Sequence, residues 1–180
     1  MSKLLVPISN GFEEIEAISI IDVCRRAGIE VITAGVEDNI LIGAHNIKIE
    51  TDKKITEDSS DNFDMIALPG GLPNAFTLAE NSDVQKLKKK KKEKNKKIAA
   101  ICAAPYALHK ANVLNENYTC YPSFEEKIKD EGYINNKNIV IDSNVVTSKG
   151  PATAMEFALE IVKILEGDEV YFSVKNGLLA

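Results

Sequence analysis

Short, wholly apolar runs alternate along this chain with segments whose apolar residues recur at the helical period. That alternation limits the fold more than any other feature. Runs too short for helices and too apolar to face water read as strands buried on both sides. KLLVPI at 3–8, IEVITAG at 29–35, FDMIALPGG at 63–71 and KIAAICAA at 97–104 are of this kind, the third running into a glycine turn. Residues 13–27 place Ile15, Ile18, Ile20 or Ile21, and Val23 or Cys24 at helical spacing before Gly28 ends the run. Residues 82–96 read as a weakly amphipathic helix. Residues 152–166 are the clearest one, apolar at 155, 158, 159, 162 and 165. Hairpins are predicted at 40–50 and 138–150, helical turns at 105–110 and 123–130, an extended piece at 118–121 and a last helix over 167–176. Together these predict an α/β sandwich, a mostly parallel sheet with helices on both faces.

The 180 residues fit a single domain over 1–180, large enough to bury a core without disulfide or metal staples. No apolar run approaches the ~20 residues of a membrane-spanning helix. MSKLLVPIS is too short a stretch for a secretory signal, so the expected location is the cytoplasm. Cys24, Cys102 and Cys120 are an odd number without zinc-ribbon spacing, and reduced thiols are expected. No ligand cluster suggests a metal.

Net charge is −5, yet residues 86–97 (KLKKKKKEKNKK) hold nine of the 22 basic residues and one acid. A basic run can attract nucleic acid or anionic lipid. This one lacks arginine and interleaved aromatics, so it reads as an exposed helix face, and no nucleic-acid partner is expected.

Ligands of parallel α/β sheets bind at the carboxyl ends of the strands, and three turns place unusual residues there. In AAICAAPYAL, Cys102 stands where a buried strand becomes a helix, flanked by Ala99, Ala100, Ala103 and Ala104. A sharp turn around a nucleophile needs such small neighbours. The following helix would favour thiolate, and the Ala103 N–H could bind an oxyanion. The plainer alternative is a small apolar cysteine packed in the core. LPGG brings Gly70 and Gly71, whose backbone can approach a ligand closely; a purely structural turn explains them as well, and no phosphate-cradle motif accompanies them. In GFEEIEA, acids favour a helix start for dipole reasons alone. Helical spacing nevertheless puts Glu13 and Glu16 near one face with Glu14 rotated away. Glu16, among Ile15, Ala17 and Ile20, is the one expected to turn toward the sheet, where burial would keep it neutral.

The series GFEEIEA, RRAG, LPGG, AAICAAP and TSKGPATAMEFAL, spread over nearly the whole chain, resembles the ThiJ/PfpI family in its DJ-one, deglycase branch. The resemblance implies a flavodoxin-like sandwich, a homodimer, and no cofactor. It also implies glyoxalase conversion of methylglyoxal to lactate, deglycation of glycated protein or nucleotide, and a chaperone role under oxidative stress. By that resemblance Cys102 is the nucleophile and redox sensor, and Glu16 its acid partner. Gly71 and Ala103 would supply oxyanion N–H groups with Gly70 beside them, Pro151 would lie near the pocket, and Arg26 would reach it across a dimer.

The departures are specific. Tyr121 takes the place where the family often has histidine, His45 stands where relatives carry a second anion-binding arginine, and Lys149 replaces a common arginine. His109, seven residues after Cys102 and so ~10 Å along a helix, is too distant to be its base. Two functions are open, with a cysteine amidase or peptidase a weaker third that would need a histidine near Cys102. In one, a Cys102 thiolate attacks a small dicarbonyl while neutral Glu16 moves protons between the adjacent carbons. In the other, the essential event is oxidation of Cys102 to sulfinate.

Overall fold

A computed structural model describes residues 1–55, 62–129 and 131–180 of the chain. Its core is a seven-stranded sheet. The strands in chain order are β1 (Lys3–Ile8), β2 (Glu30–Gly35), β5 (Lys53–Lys54), β6 (Met65–Leu68), β7 (Lys97–Ile101), β8 (Ile139–Asp142) and β9 (Val145–Ser148). In space the order is β5-β2-β1-β6-β7-β9-β8. Every pairing is parallel except the β8–β9 hairpin. The 40–50 region is a separate antiparallel hairpin, β3 (Ile40–Ile42) with β4 (Lys48–Glu50).

The central strands are apolar on both faces because each face is roofed by helices. Leu4, Val6, Met65, Ala67 and Ala99 pack beneath α1 (Glu14–Arg26) and α6 (Ala154–Glu166). Leu5, Ile66, Leu68, Ile98 and Ala100 pack beneath α2 (Asn74–Glu80), α3 (Ser82–Glu93) and α4 (Pro105–Lys110). The predicted α/β sandwich is therefore the observed fold. The single turn α5 (Glu125–Ile128) and the eleven-residue α7 (Asp168–Leu178) complete it.

Four local expectations are corrected. Residues 118–121 form no strand, only a bridge between Tyr118 and Tyr133. The 123–130 helix is the single turn α5, and residue 130 lies outside the described residues. On α1, Ala17, Ile20, Val23 and Cys24 are buried, whereas Ile15 and Ile18 are 57% and 45% exposed. An apolar residue on the opposite side of a helix satisfies the same sequence count without joining the core.

The lysine run is not simply a solvated face either. Lys88 and Lys91 are buried, their stems lying with Val84 and Leu87 on the inner side of α3. Long lysine stems can cover apolar surface when the head finds acceptors. The Lys88 ammonium donates to the carbonyls of Leu78 (3.1 Å) and Ala107 (2.6 Å), and that of Lys91 to the carbonyl of Phe63.

The chain leaves β1 to build β2 on one side and β6 on the other. This switch brings the ends of β1, β6 and β7 side by side, where a parallel sheet offers a crevice.

Candidate active site

β7 ends in the bend that carries Cys102. Its backbone is left-handed at φ 65°, a region costly for a residue with a side chain and kept only where the surroundings impose it. Here they do. The Cys102 N–H donates to the Ser148 carbonyl at the end of β9 (2.9 Å), and its carbonyl accepts from the Tyr121 N–H (2.8 Å). Ala103 and Ala104 are buried, so the bend has no room for larger neighbours. The sulfur meets the N–H groups of Gly71 and Ala103, and the residue keeps 8% of its surface exposed. Because α4 is six residues long and begins only at Pro105, these two amides face the sulfur more directly than the helix dipole does.

The β6 turn approaches from the next strand. A methyl group on Gly70 would fall 2.6 Å from the Cys102 Cβ and 2.7 Å from Glu16 Oε2. One on Gly71, at φ +88°, would strike the Glu13 nitrogen at 2.3 Å. Both positions require glycine for contact between the two turns.

Glu16 arrives from the first turn of α1, started by Glu13, whose side chain accepts the Glu16 N–H (2.8 Å). Glu16 is fully buried, and its Oε2 accepts the Gly70 N–H at 2.7 Å. The carboxyl lies within hydrogen-bonding reach of the Cys102 thiol, while Oε1 is buried without a well-formed partner. Burial, reinforced by the Glu13 charge, raises its pKa to about 7 against the pull of Gly70 and Cys102. The expected neutral acid is thus available near neutrality.

The expectation for sulfur needs correction. Burial raises the Cys102 pKa, and the Glu16 charge and hydrogen bond raise it further, outweighing the Gly71 and Ala103 amides. The two groups titrate as one unit. Glu16 sheds its proton near pH 7 while the thiol, its own pKa raised, keeps one, so thiolate beside neutral Glu16 is the minor form of the one-proton pair. Thiolate is reached only while Glu16 keeps that proton.

The sequence profile of the DJ-1/PfpI family matches residues 2–164. The chain belongs to this family. Protein dj-1beta of Drosophila melanogaster is 40% identical over 99% of this chain and 98% of that protein. A crystal structure of Drosophila melanogaster DJ-1beta superposes with a TM-score of 0.96, covering 100% of this chain and 99% of that one at 39% identity. Glutathione-independent glyoxalase DJR-1.2 of Caenorhabditis elegans is 39% identical over 93% of this chain and 90% of that protein. An oxidized Toxoplasma gondii DJ-1 structure, 35% identical, gives a TM-score of 0.94 over 99% and 98% of the two chains.

Among the residues singled out by family resemblance, the structure gathers Cys102, Glu16, Gly70, Gly71 and Ala103. Tyr121 and Pro151, with Pro122, Lys149 and Ala152, line a largely apolar cleft of about 280 Å³ beside the Cys102 bend. His45 and Arg26 stand elsewhere within this chain. The His45 ring bonds Glu14 Oε2 (2.8 Å), and its N–H bonds Oε1 (2.6 Å). Glu14 is therefore rotated away from the thiol, as the helical spacing implies, yet buried as the anchor of the 43–47 loop. Arg26 pairs with Asp22 at the far end of α1, ten residues from Glu16 and so ~15 Å along the helix.

Glu13, Glu14 and His45 bring ligand atoms within 4.8 Å of one another, the one metal-like grouping among the described residues. Glu13 and Glu14 already accept protein N–H groups there. Cys24 and Cys120 are buried, each with its pKa raised to about 12, chiefly by desolvation. Among the described residues, no helix is long and apolar enough to cross a membrane. Sequence reasoning overlooked α2 and its Asn74, a fully buried side chain bonded to the LPGG turn. A polar residue just after Leu72-Pro73 was the available signal.

Proposed function

We propose that this protein is a cofactor-independent glyoxalase and deglycase of the cytoplasm, acting on methylglyoxal and on early glycation adducts of protein or nucleotide. The observation that carries this reading is a bent, strained Cys102 within hydrogen-bonding reach of a buried Glu16 whose Oε1 has no well-formed partner. With the proton on Glu16, sulfur adds to the aldehyde carbon and the new alkoxide takes that proton, forming a hemithioacetal. The resulting carboxylate removes the hydrogen from the former aldehyde carbon and returns it to the adjacent carbon, while the hydroxyl proton passes between the two oxygens. A lactoyl thioester on Cys102 results. Water hydrolyses it, releasing lactate and the thiol. Gly71 and Ala103 N–H groups stabilise the oxyanions on this route.

A second copy of the chain completes the assembly. Ile15 and Ile18 on α1 and Ile40, Ile42 and Ile47 on the adjoining hairpin region are each 45–57% exposed, an apolar face that a homodimer would cover. Such a dimer offers Arg26 a route toward a neighbouring pocket.

A second reading rests on the same carboxyl. Oxidation of Cys102 by two equivalents of peroxide, through sulfenic acid to sulfinate with water released at each step, would support a stress-response or chaperone role and place acceptor oxygens beside neutral Glu16. Lactate formation from methylglyoxal separates the two. Wild type should exceed a free thiol in rate, and Cys102→Ser should abolish the excess. An unchanged rate in Cys102→Ser would refute the enzyme reading.

A further inference from the structure

The turn that presents Gly71 to the reactive sulfur contains two glycines in succession, so its own backbone restrains it weakly. Something outside it must hold the peptide plane. Gly70 C=O and Gly71 N–H are opposite ends of one planar peptide group, so fixing the carbonyl aims the amide. The Gly70 carbonyl receives two donors, the Glu13 N–H at 3.0 Å and the Asn74 side-chain amide at 2.9 Å. The same Asn74 nitrogen donates to the Pro69 carbonyl at 2.8 Å, and Asn74 Oδ1 accepts the Ser9 N–H at 2.8 Å. Asn74 is wholly buried, and its side chain makes no cap for its own helix. Among the described residues, every hydrogen bond of its side chain is spent just past the ends of β1 and β6, the two strands that carry Glu16 and Gly71 to Cys102 on their following segments.

We propose that Asn74 is a positioning residue for the Cys102 thiol: by clamping the Gly70 carbonyl it keeps the Gly71 N–H directed at Sγ. Two donors on the carbonyl also polarise the peptide, which strengthens the N–H at its other end. Among the described residues, loss of the clamp leaves Glu13 as the remaining donor to that carbonyl; the Gly70 N–H stays on Glu16 and the Gly71 carbonyl on the Ala75 N–H, so the peptide plane between the two glycines is what becomes free to tilt. The thiolate then loses one of its two backbone donors, while Glu16, Cys102 and the cleft keep their side chains. This inference rests on the reading of Cys102 as nucleophile, and it adds to that reading a residue that touches neither sulfur nor substrate.

The test is the rate of iodoacetamide alkylation at Cys102, followed by mass spectrometry across pH, in wild type, Asn74→Ala, Asn74→Asp and Leu87→Ala. Leu87 is buried on the inner side of α3, on the opposite face of the sheet from α1, and makes no contact in the Cys102 site, so its truncation reports lost stability. Asn74→Ala should slow alkylation at neutral pH about tenfold and move its midpoint upward by about one unit, the equivalent of one charge-assisted hydrogen bond. Asn74→Asp keeps the acceptor for Ser9 and loses both donated bonds, so it should shift the profile the same way if the alanine variant does not fold. Leu87→Ala should lower the melting temperature with the profile unmoved. Profiles of Asn74→Ala or Asn74→Asp that superpose on wild type would overturn the assignment. A wild-type Cys102 that resists alkylation at every pH would remove the nucleophile reading, and this inference with it.

Discussion

Two helices of this protein carry ionisable side chains into the interior, with opposite consequences. On α1, Glu16 reaches the bend of Cys102 with one oxygen bound to Gly70 and the other without a well-formed partner. On α3, Lys88 reaches an equally dry interior and donates to two carbonyls, in the last turn of α2 and within α4. Both are desolvated, and both pKa values are displaced toward about 7, upward for the acid and downward for the base. A displaced pKa therefore does not by itself mark chemistry. What distinguishes the two is the company: a strained thiol and a spare oxygen in one case, satisfied backbone acceptors in the other. Lys88 ties two helices together; Glu16 is left with capacity to move a proton.

Removing each group breaks the comparison most sharply. Glu16→Gln should lower methylglyoxal kcat by about 10² or more, the usual contribution of a positioned acid–base group. Lys88→Met should leave kcat within about twofold while keeping the buried stem's volume. A comparable activity loss in both variants would dissolve the distinction.

The pH dependence of stability sharpens it next. Lys88 has a folded pKa of about 7 against an ordinary 10.5, so the unfolded chain binds more protons between those values. Stability must then rise with pH across that window, by about 2 kcal/mol between pH 7 and 9 as an order of magnitude. Urea midpoints should show this rise in wild type and lose it in Lys88→Met; equal slopes would mean the amine is not buried as described.

The smallest effect belongs to the exposed His45. Contact with Glu14 raises its pKa, so its contribution is complete below pH 6.5 and disappears as pH climbs through the folded value. His45→Ala should lower the urea midpoint at pH 6 more than at pH 9, with methylglyoxal turnover little changed.

The sequence made the sandwich legible because its strands are buried on both faces and leave apolar runs that little else explains. The Cys102 bend was legible from its alanines, and Glu16 from its spacing relative to Glu13 and Glu14. What stayed hidden depends on partners distant in the chain. Ile15 and Ile18 satisfy a helical apolar period yet face outward, since periodicity does not record which side a second layer covers. Lys88 and Lys91 read as solvated because their carbonyl acceptors lie 10 and 28 residues away. The high thiol pKa was missed for a related reason. A helix start suggests a stabilised thiolate, but the fold buries the sulfur and sets a carboxyl against it.

The pH profile of kcat/KM for methylglyoxal, in wild type and in Glu16→Gln, tests the shared-proton pair most directly. The wild-type value should rise with pH through an apparent pKa of about 7, as the pair sheds its first proton, and the residual Glu16→Gln rate should lack that rise. A wild-type profile flat through neutrality, or the same rise persisting in Glu16→Gln, would contradict it.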